Sequence, residues 1–197
     1  EKEEQVEKIN YFVELSKELG VYDTFYKFSN NYTKFKYLNK EVLWYNDSLF
    51  SNPKCEVILT VGLPGTGKDT YIAKYLNNYK VISLDNIRDE LNVKPKEDES
   101  RVINIAKKRA KEYLREGSSF VWNATNVSNM TRNGLISLFH DYHACVKIIY
   151  FETSYKEVII RNKNRIKEVP EFVIDKMLNS LIIPECFEAE YVEWVIV

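Results

Sequence analysis

Residues 61–70 read VGLPGTGKDT, and no other stretch of the chain limits its fold so tightly. Gly62, Gly67 and Lys68 stand at the spacing G-x-x-x-x-G-K. In such a loop, glycines let successive backbone N–H groups turn inward without Cβ clashes, and the helix that follows adds partial positive charge. A run of phosphates is what this cradle holds, with the lysine as a point charge against it. The geometry needs an apolar strand leading in and a helix leading out. EVILTV (56–61) has the pattern of a buried strand, and residues 68–76 have that of a helix. A plain strand–turn–helix junction with a surface lysine is the weaker reading, because context and motif agree.

One letter departs from the usual loop. The residue after the lysine is ordinarily Ser or Thr, with its hydroxyl on magnesium. Here it is Asp69, and the hydroxyl comes one position later at Thr70. A carboxylate beside a triphosphate is repelled unless a cation lies between them, and Mg2+ accepts one or two carboxylates among its oxygen ligands. Asp69 is therefore expected to hold Mg2+, directly or through water, with Thr70 as the second candidate.

Further along, strands and helices alternate. KVISL (80–84), SFVWN (119–123), CVKIIYF (145–151) and YVEWVIV (191–197) read as strands. Between them lie helices at 86–91, 98–116, 130–142 and 154–165, and one starting at Pro170. Val102, Ala106, Ala110 and Tyr113 share a face of the longest, which Gly117 stops. Ser154 and Glu157 form a capping box. This alternation predicts an α/β fold, a three-layer P-loop NTPase or kinase architecture with a mainly parallel sheet of about five strands. The turn chemistry of SNPK (51–54) divides the chain into a P-loop domain, 54–197, and an N-terminal strap, 1–53. The strap opens with helical spacing over 2–18, ended by Gly20, and continues over 22–50 without a clean period.

The second strand runs into SLDNIR, which sets Asp85 at a strand's carboxyl end, the rim where open α/β sheets place ligands. Arg88 follows three residues on, on the same helix face. A carboxylate there can take the proton of an attacking hydroxyl, and an arginine beside it can grip an acceptor phosphate. The alternative is that Asp85 is an N-cap and Arg88 is solvated. In RNKNR, Arg161 and Arg165 lie a helical turn apart, with Lys163 and Lys167 nearby. They either close over a triphosphate or form a solvated basic helix end.

The series GLPGTGKDT, LDNIR, WNATN with Arg132, and RNKNRIKEVPEFVI resembles the polynucleotide 5′-kinase family of P-loop phosphotransferases. The likeness covers residues 56 to about 190. Members transfer the ATP γ-phosphate to the 5′-hydroxyl of RNA or DNA. The resemblance implies ATP and Mg2+ as cofactors, with residues 62–70 (Gly62, Leu63, Pro64, Gly65, Thr66, Gly67, Lys68, Asp69 and Thr70) and Arg161 around the ATP. It implies that Lys68 binds phosphate, that Asp85 is the general base, and that Arg165 reaches the γ-phosphate from a lid. Arg88 would meet the acceptor's 3′-phosphate, and Asn126 and Arg132 would lie near the acceptor strand. Asn123 stands in WNATN where many relatives read DATN, so no carboxylate supports the metal from that strand. Domains of this kind also occur fused behind an HD-type phosphohydrolase domain, which fits a chain that begins at Glu1 rather than Met.

Composition limits the partners. A net charge of −1 and a pI near 6.3 argue against a globally basic nucleic-acid binder, though not against a local basic patch. Three scattered cysteines form neither a disulfide frame nor a zinc site, and no apolar run approaches a membrane span, so a reducing, cytoplasmic setting is expected. In the strap, residues 26–40 interleave four lysines with five aromatics and carry no acid. They read first as a partly buried strap with snorkelling lysines, and second as an extension of a single-strand groove. His140 and His143 read as ordinary helix-end residues. Two rivals stand beside nucleic-acid 5′-hydroxyl ends as substrate: a small-molecule kinase acting on a metabolite, sugar or nucleoside, and an ATP-binding module without catalysis.

Overall fold

The computed structural model describes residues 2–42, 44, 46–94 and 97–197. The chain divides into two compact units, 1–50 and 51–197. In the first, α1 spans Lys2–Glu18 and α2 spans Asn31–Leu38. No apolar period marks α2, whose buried residues are only Thr33 and Phe35. Local chemistry accounts for it. The Asn30 side chain caps the Thr33 N–H at 2.8 Å, and the Thr33 hydroxyl accepts from the Leu49 N–H at 2.9 Å. Phe28 packs against two neighbouring rings, 4.9 Å from Tyr26 and 5.4 Å from Tyr37, whereas Phe25 and Phe50 are almost fully exposed. Lys36 pairs with Glu41. Leu43 and Tyr45, which the 22–50 reading included, lie outside the described residues.

The second unit is an α/β fold. Among its described residues are five strands: β1 (Cys55–Val61), β2 (Lys80–Ser83), β3 (Phe120–Asn123), β4 (Ala144–Glu152) and β5 (Tyr191–Ile196). They form one sheet in the order β2-β3-β1-β4-β5, every pairing parallel. The helices between them are α3 (Lys68–Tyr75), α4 (Leu84–Leu91), α5 (Glu99–Glu116), α6 (Asn129–His140), α7 (Tyr155–Lys163) and α8 (Glu171–Asn179). Strands buried on both faces read as unbroken apolar runs, and the pleat then sorts them. Val57, Leu59 and Val61 of β1 face the larger core with Val102, Ala106, Ala110 and Leu114 of α5, whereas Ile58 faces the opposite layer with Ile72 of α3. In α5 the fourth fully buried position is Leu114, while Tyr113 packs at the edge of the core.

This topology brings all five strand tips to one rim, with β1 and its loop at the centre. No helix among the described residues is long and apolar enough to cross a membrane.

Candidate active site

The loop between β1 and α3 is tightly folded. Gly67 is the N-cap of α3 at φ 88°, a conformation that side chains resist. Gly62 has no room for a Cβ, which would lie 2.9 Å from the Thr66 hydroxyl and 3.0 Å from the Phe151 carbonyl oxygen. The Thr66 hydroxyl donates to the Leu63 carbonyl at 2.9 Å. Lys68, buried at the start of α3, turns its Nζ back into the loop and donates to the carbonyls of Gly62 at 2.8 Å and Leu63 at 2.7 Å. Burial pushes this ammonium down to about 8, opposed by the charge of Asp69, reinforced by that of Arg165, and opposed again by that of Asp85.

Asp85 lies in the first turn of α4, its side chain 76% exposed. The cap of that helix is Ser83, whose Oγ accepts from the Asn86 N–H at 3.3 Å, so the N-cap reading of Asp85 fails. Arg88 is not simply solvated either. Its Nη1 donates to Asp85 Oδ1 at 2.5 Å, while Nε and Nη2 grip Glu99 at 3.1 and 2.9 Å. Glu99 went unnoticed in the sequence because it begins a different helix.

The RNKNR segment reaches both the loop and the rim. Arg161 in α7 donates to Glu157 at 2.8 Å, and its Nη1 would lie 3.9 Å from a Cβ on Gly67. Ser154 caps the Glu157 N–H at 3.3 Å, but the Glu157 carboxylate turns to Arg161, leaving half of the capping box. Lys167 pairs with Asp89 of α4, joining the segment after α7 to the helix that carries Asp85. Together α7 and the tip of β5 border a cleft of about 600 Å3 lined by Thr153, Glu157, Arg161, Ile196 and Val197.

Asp69 and Thr70 are exposed in the first turn of α3, and Asp69 Oδ1 accepts from Asn123 Nδ2 at 2.7 Å. Asn126, held at φ 44°, donates through Nδ2 to the Thr60 carbonyl at 2.8 Å. That bond ties the segment after β3 to β1.

The acceptor role expected of Arg132 is corrected. The guanidinium is fully buried, bidentate to Glu188 at 2.7 and 2.8 Å, and its Nη1 donates to the carbonyls of Asn126 and Val127 at 3.1 Å each. With every nitrogen engaged and no exposure, it cannot touch a bound strand. His140 ends α6, and its Nε2 meets the buried Glu190 at 3.0 Å.

The sequence of this unit matches a known family, AAA_33, described as an AAA domain, over residues 57–184, well over half of the chain. The chain belongs to the AAA domain family. This AAA domain is also 25% identical over 150 residues to human heterogeneous nuclear ribonucleoprotein U-like protein 2, covering 67% of the chain and only 20% of that relative. The chain thus spans about a fifth of the length of that relative. In structure it is similar to a chain of the Pnkp1/Rnl/Hen1 RNA repair complex, with TM-score 0.59 and 20% identity, covering 68% of this chain and 46% of that one. It is likewise similar to a sugar kinase from Janibacter sp. HTCC2649, with TM-score 0.53 and 13% identity, covering 73% and 84%. The AAA domain therefore has a P-loop kinase fold, and that fold is shared by proteins of different substrate classes.

Proposed function

We propose that the protein is an ATP-dependent kinase that phosphorylates the 5′-hydroxyl end of RNA or DNA. One observation carries the phosphoryl-transfer reading: in the loop between β1 and α3, the buried Lys68 ammonium is folded back onto the carbonyls of Gly62 and Leu63. An ammonium on the phosphates, a carboxylate on the rim and an arginine from the lid are what an in-line transfer uses. The acceptor oxygen attacks the γ-phosphorus and its proton passes to Asp85. The bond from phosphorus to the β–γ bridging oxygen breaks, and ADP leaves. Lys68 and Arg165 offset the charge on the transferring group, and the cleft beside Arg161 holds the donor's nucleoside.

Asp69 and Thr70 fit a magnesium ion: one carboxylate and one hydroxyl, both exposed, leave the other positions to phosphate and water. Held there, the ion would offset the negative charge of the phosphates.

The choice of a polymer acceptor rests on the series of motifs and on the basic segment 161–167, a local concentration of positive charge on a chain of net charge −1. The names of the ribonucleoprotein relative and of the RNA repair complex agree with it. The second reading, a small-molecule kinase, draws on Arg88. Glu99 already holds this side chain in a bidentate grip, and an acceptor phosphate would have to displace it. Labelling a nucleoside 3′-monophosphate against the matched nucleoside, both with a free 5′-hydroxyl, tests the Arg88 contact. If Arg88 grips the phosphate, Arg88→Ala raises the KM of the phosphate-bearing substrate about tenfold more than that of its partner. Equal losses on both would assign Arg88 to positioning Asp85 and remove the phosphate contact.

Nucleotide affinity should also depend on pH. The free protein loses the Lys68 charge as pH rises through about 8, and ATP favours the charged form. Affinity is therefore expected to hold below 8 and to fall by up to about tenfold per unit above it. Calorimetry at pH 8.5 in two buffers should show proton uptake on binding. Equal affinity at pH 7.5 and 9.5 would mean that Lys68 does not contact phosphate.

A further inference from the structure

P-loop phosphotransferases commonly hold magnesium with a Ser or Thr just after the lysine and an Asp at a strand tip. This chain departs at both places, with Asp69 after the lysine and Asn123 at the end of β3, the strand paired with β1. The two departures touch. Asn123 Nδ2 donates to Asp69 Oδ1 at 2.7 Å, across 54 positions of sequence.

The amide is fixed in that orientation. Asn123 is only 8% exposed, and its Oδ1 lies 3.3 Å from the hydroxyl of the fully buried Thr60. Turning the amide over would set its oxygen against the carboxylate, two acceptors at hydrogen-bond distance. The Asn123 N–H occupies one face of Asp69 Oδ1, and Asp69, exposed, keeps its other oxygen for a ligand.

We propose that Asn123 and Asp69 are a swapped pair, in which the strand-tip amide aims a helix-borne carboxylate at the cation. The pair supplies one negative charge, as the usual hydroxyl and strand carboxylate do, with the acid moved from strand to helix. Asn123 is a positioning residue and acts through Asp69. The inference rests on the reading that this site binds a magnesium nucleotide. Each position then makes sense only with the other: two acids would repel at 2.7 Å, and none would hold the cation weakly.

Thermal unfolding in EDTA without nucleotide tests the pair apart from any catalysis. Asn123→Asp is expected to lower Tm by about 5 °C or more, Asn123→Ala by less, and Asp69→Ser added to Asn123→Asp should restore it. Mn2+ binding to the ADP complex, read from the electron paramagnetic resonance signal of the free ion, tests the aim of the carboxylate. Asn123→Ala should weaken it about tenfold, Asp69→Ser at least as much, and the double variant should regain wild-type affinity. Additive Tm losses in the double variant, or unchanged Mn2+ affinity in Asn123→Ala, would overturn the proposal. Intact coupling and Mn2+ binding without any phosphoryl transfer would instead refute the kinase reading and leave the pair standing.

Discussion

Asp85→Asn is expected to slow phosphoryl transfer by about 10²–10⁴-fold while leaving ATP affinity within about twofold of wild type. The amide keeps the size of the carboxylate and can still accept from Arg88 at the position of the present 2.5 Å contact. What it cannot do is take a proton. Loss of rate without loss of binding therefore separates general-base catalysis from a structural role in α4, and it also separates a kinase from a module that only senses nucleotide. Lys68→Ala should behave differently, because its ammonium lies among the loop carbonyls where phosphate oxygens would meet it. It should lose affinity and transfer rate together, the rate by about 10²–10³-fold. Single-turnover labelling combined with equilibrium nucleotide binding reads both quantities. An Asp85→Asn protein with full turnover would remove Asp85 from the chemistry.

The second large effect is on stability. Breaking the Arg132–Glu188 pair from one side leaves a charge in a place that water does not reach. Such losses run to about 3–5 kcal/mol, and for a chain of this size that corresponds to a Tm fall on the order of 10 °C. Glu188→Ala and Arg132→Ala are each expected to show it. Replacing both by apolar residues, as in Arg132→Met with Glu188→Leu, should recover most of it, because the cost lies in the unpaired charge and not in the missing attraction. Arg132 also holds the Asn126 and Val127 carbonyls, and the Ile182 N–H donates to the Val127 carbonyl at 3.0 Å, so the pair fastens residues 181–190 to the segment after β3. The rescued double variant should therefore fold yet bind acceptor less well. Differential scanning fluorimetry of the four proteins, followed by KM for the acceptor, checks both parts.

The sheet was legible because parallel strands covered on both faces must be apolar throughout, and runs such as EVILTV and CVKIIYF have no other reading between turn signals. The loop was legible because its glycines are dictated by backbone conformation and close packing, which a short motif encodes directly. What could not be read were side-chain partners far apart in sequence. Arg132 meets Glu188 across 56 positions, and Lys167 meets Asp89 across 78. A charged residue whose neighbour is set by tertiary folding looks the same in sequence as a solvated one. Nothing in the sequence therefore opposed the acceptor role that the resemblance implied for Arg132. Helix α2 was missed for a related reason, since capping by Asn30 and packing of Thr33 define it and its apolar residues show no period.

The central claim is that Lys68, Asp85 and Arg165 surround a transfer of phosphate from ATP to the hydroxyl at a nucleic-acid end. It is tested most directly by offering γ-labelled ATP and Mg2+ to the protein with 5′-hydroxyl RNA and DNA oligonucleotides in one set of reactions and a panel of sugars and nucleosides in another. Label at the 5′ end of an oligonucleotide, absent with Asp85→Asn, is the predicted result. Label that appears only in a sugar or nucleoside, with the oligonucleotides untouched, would contradict it.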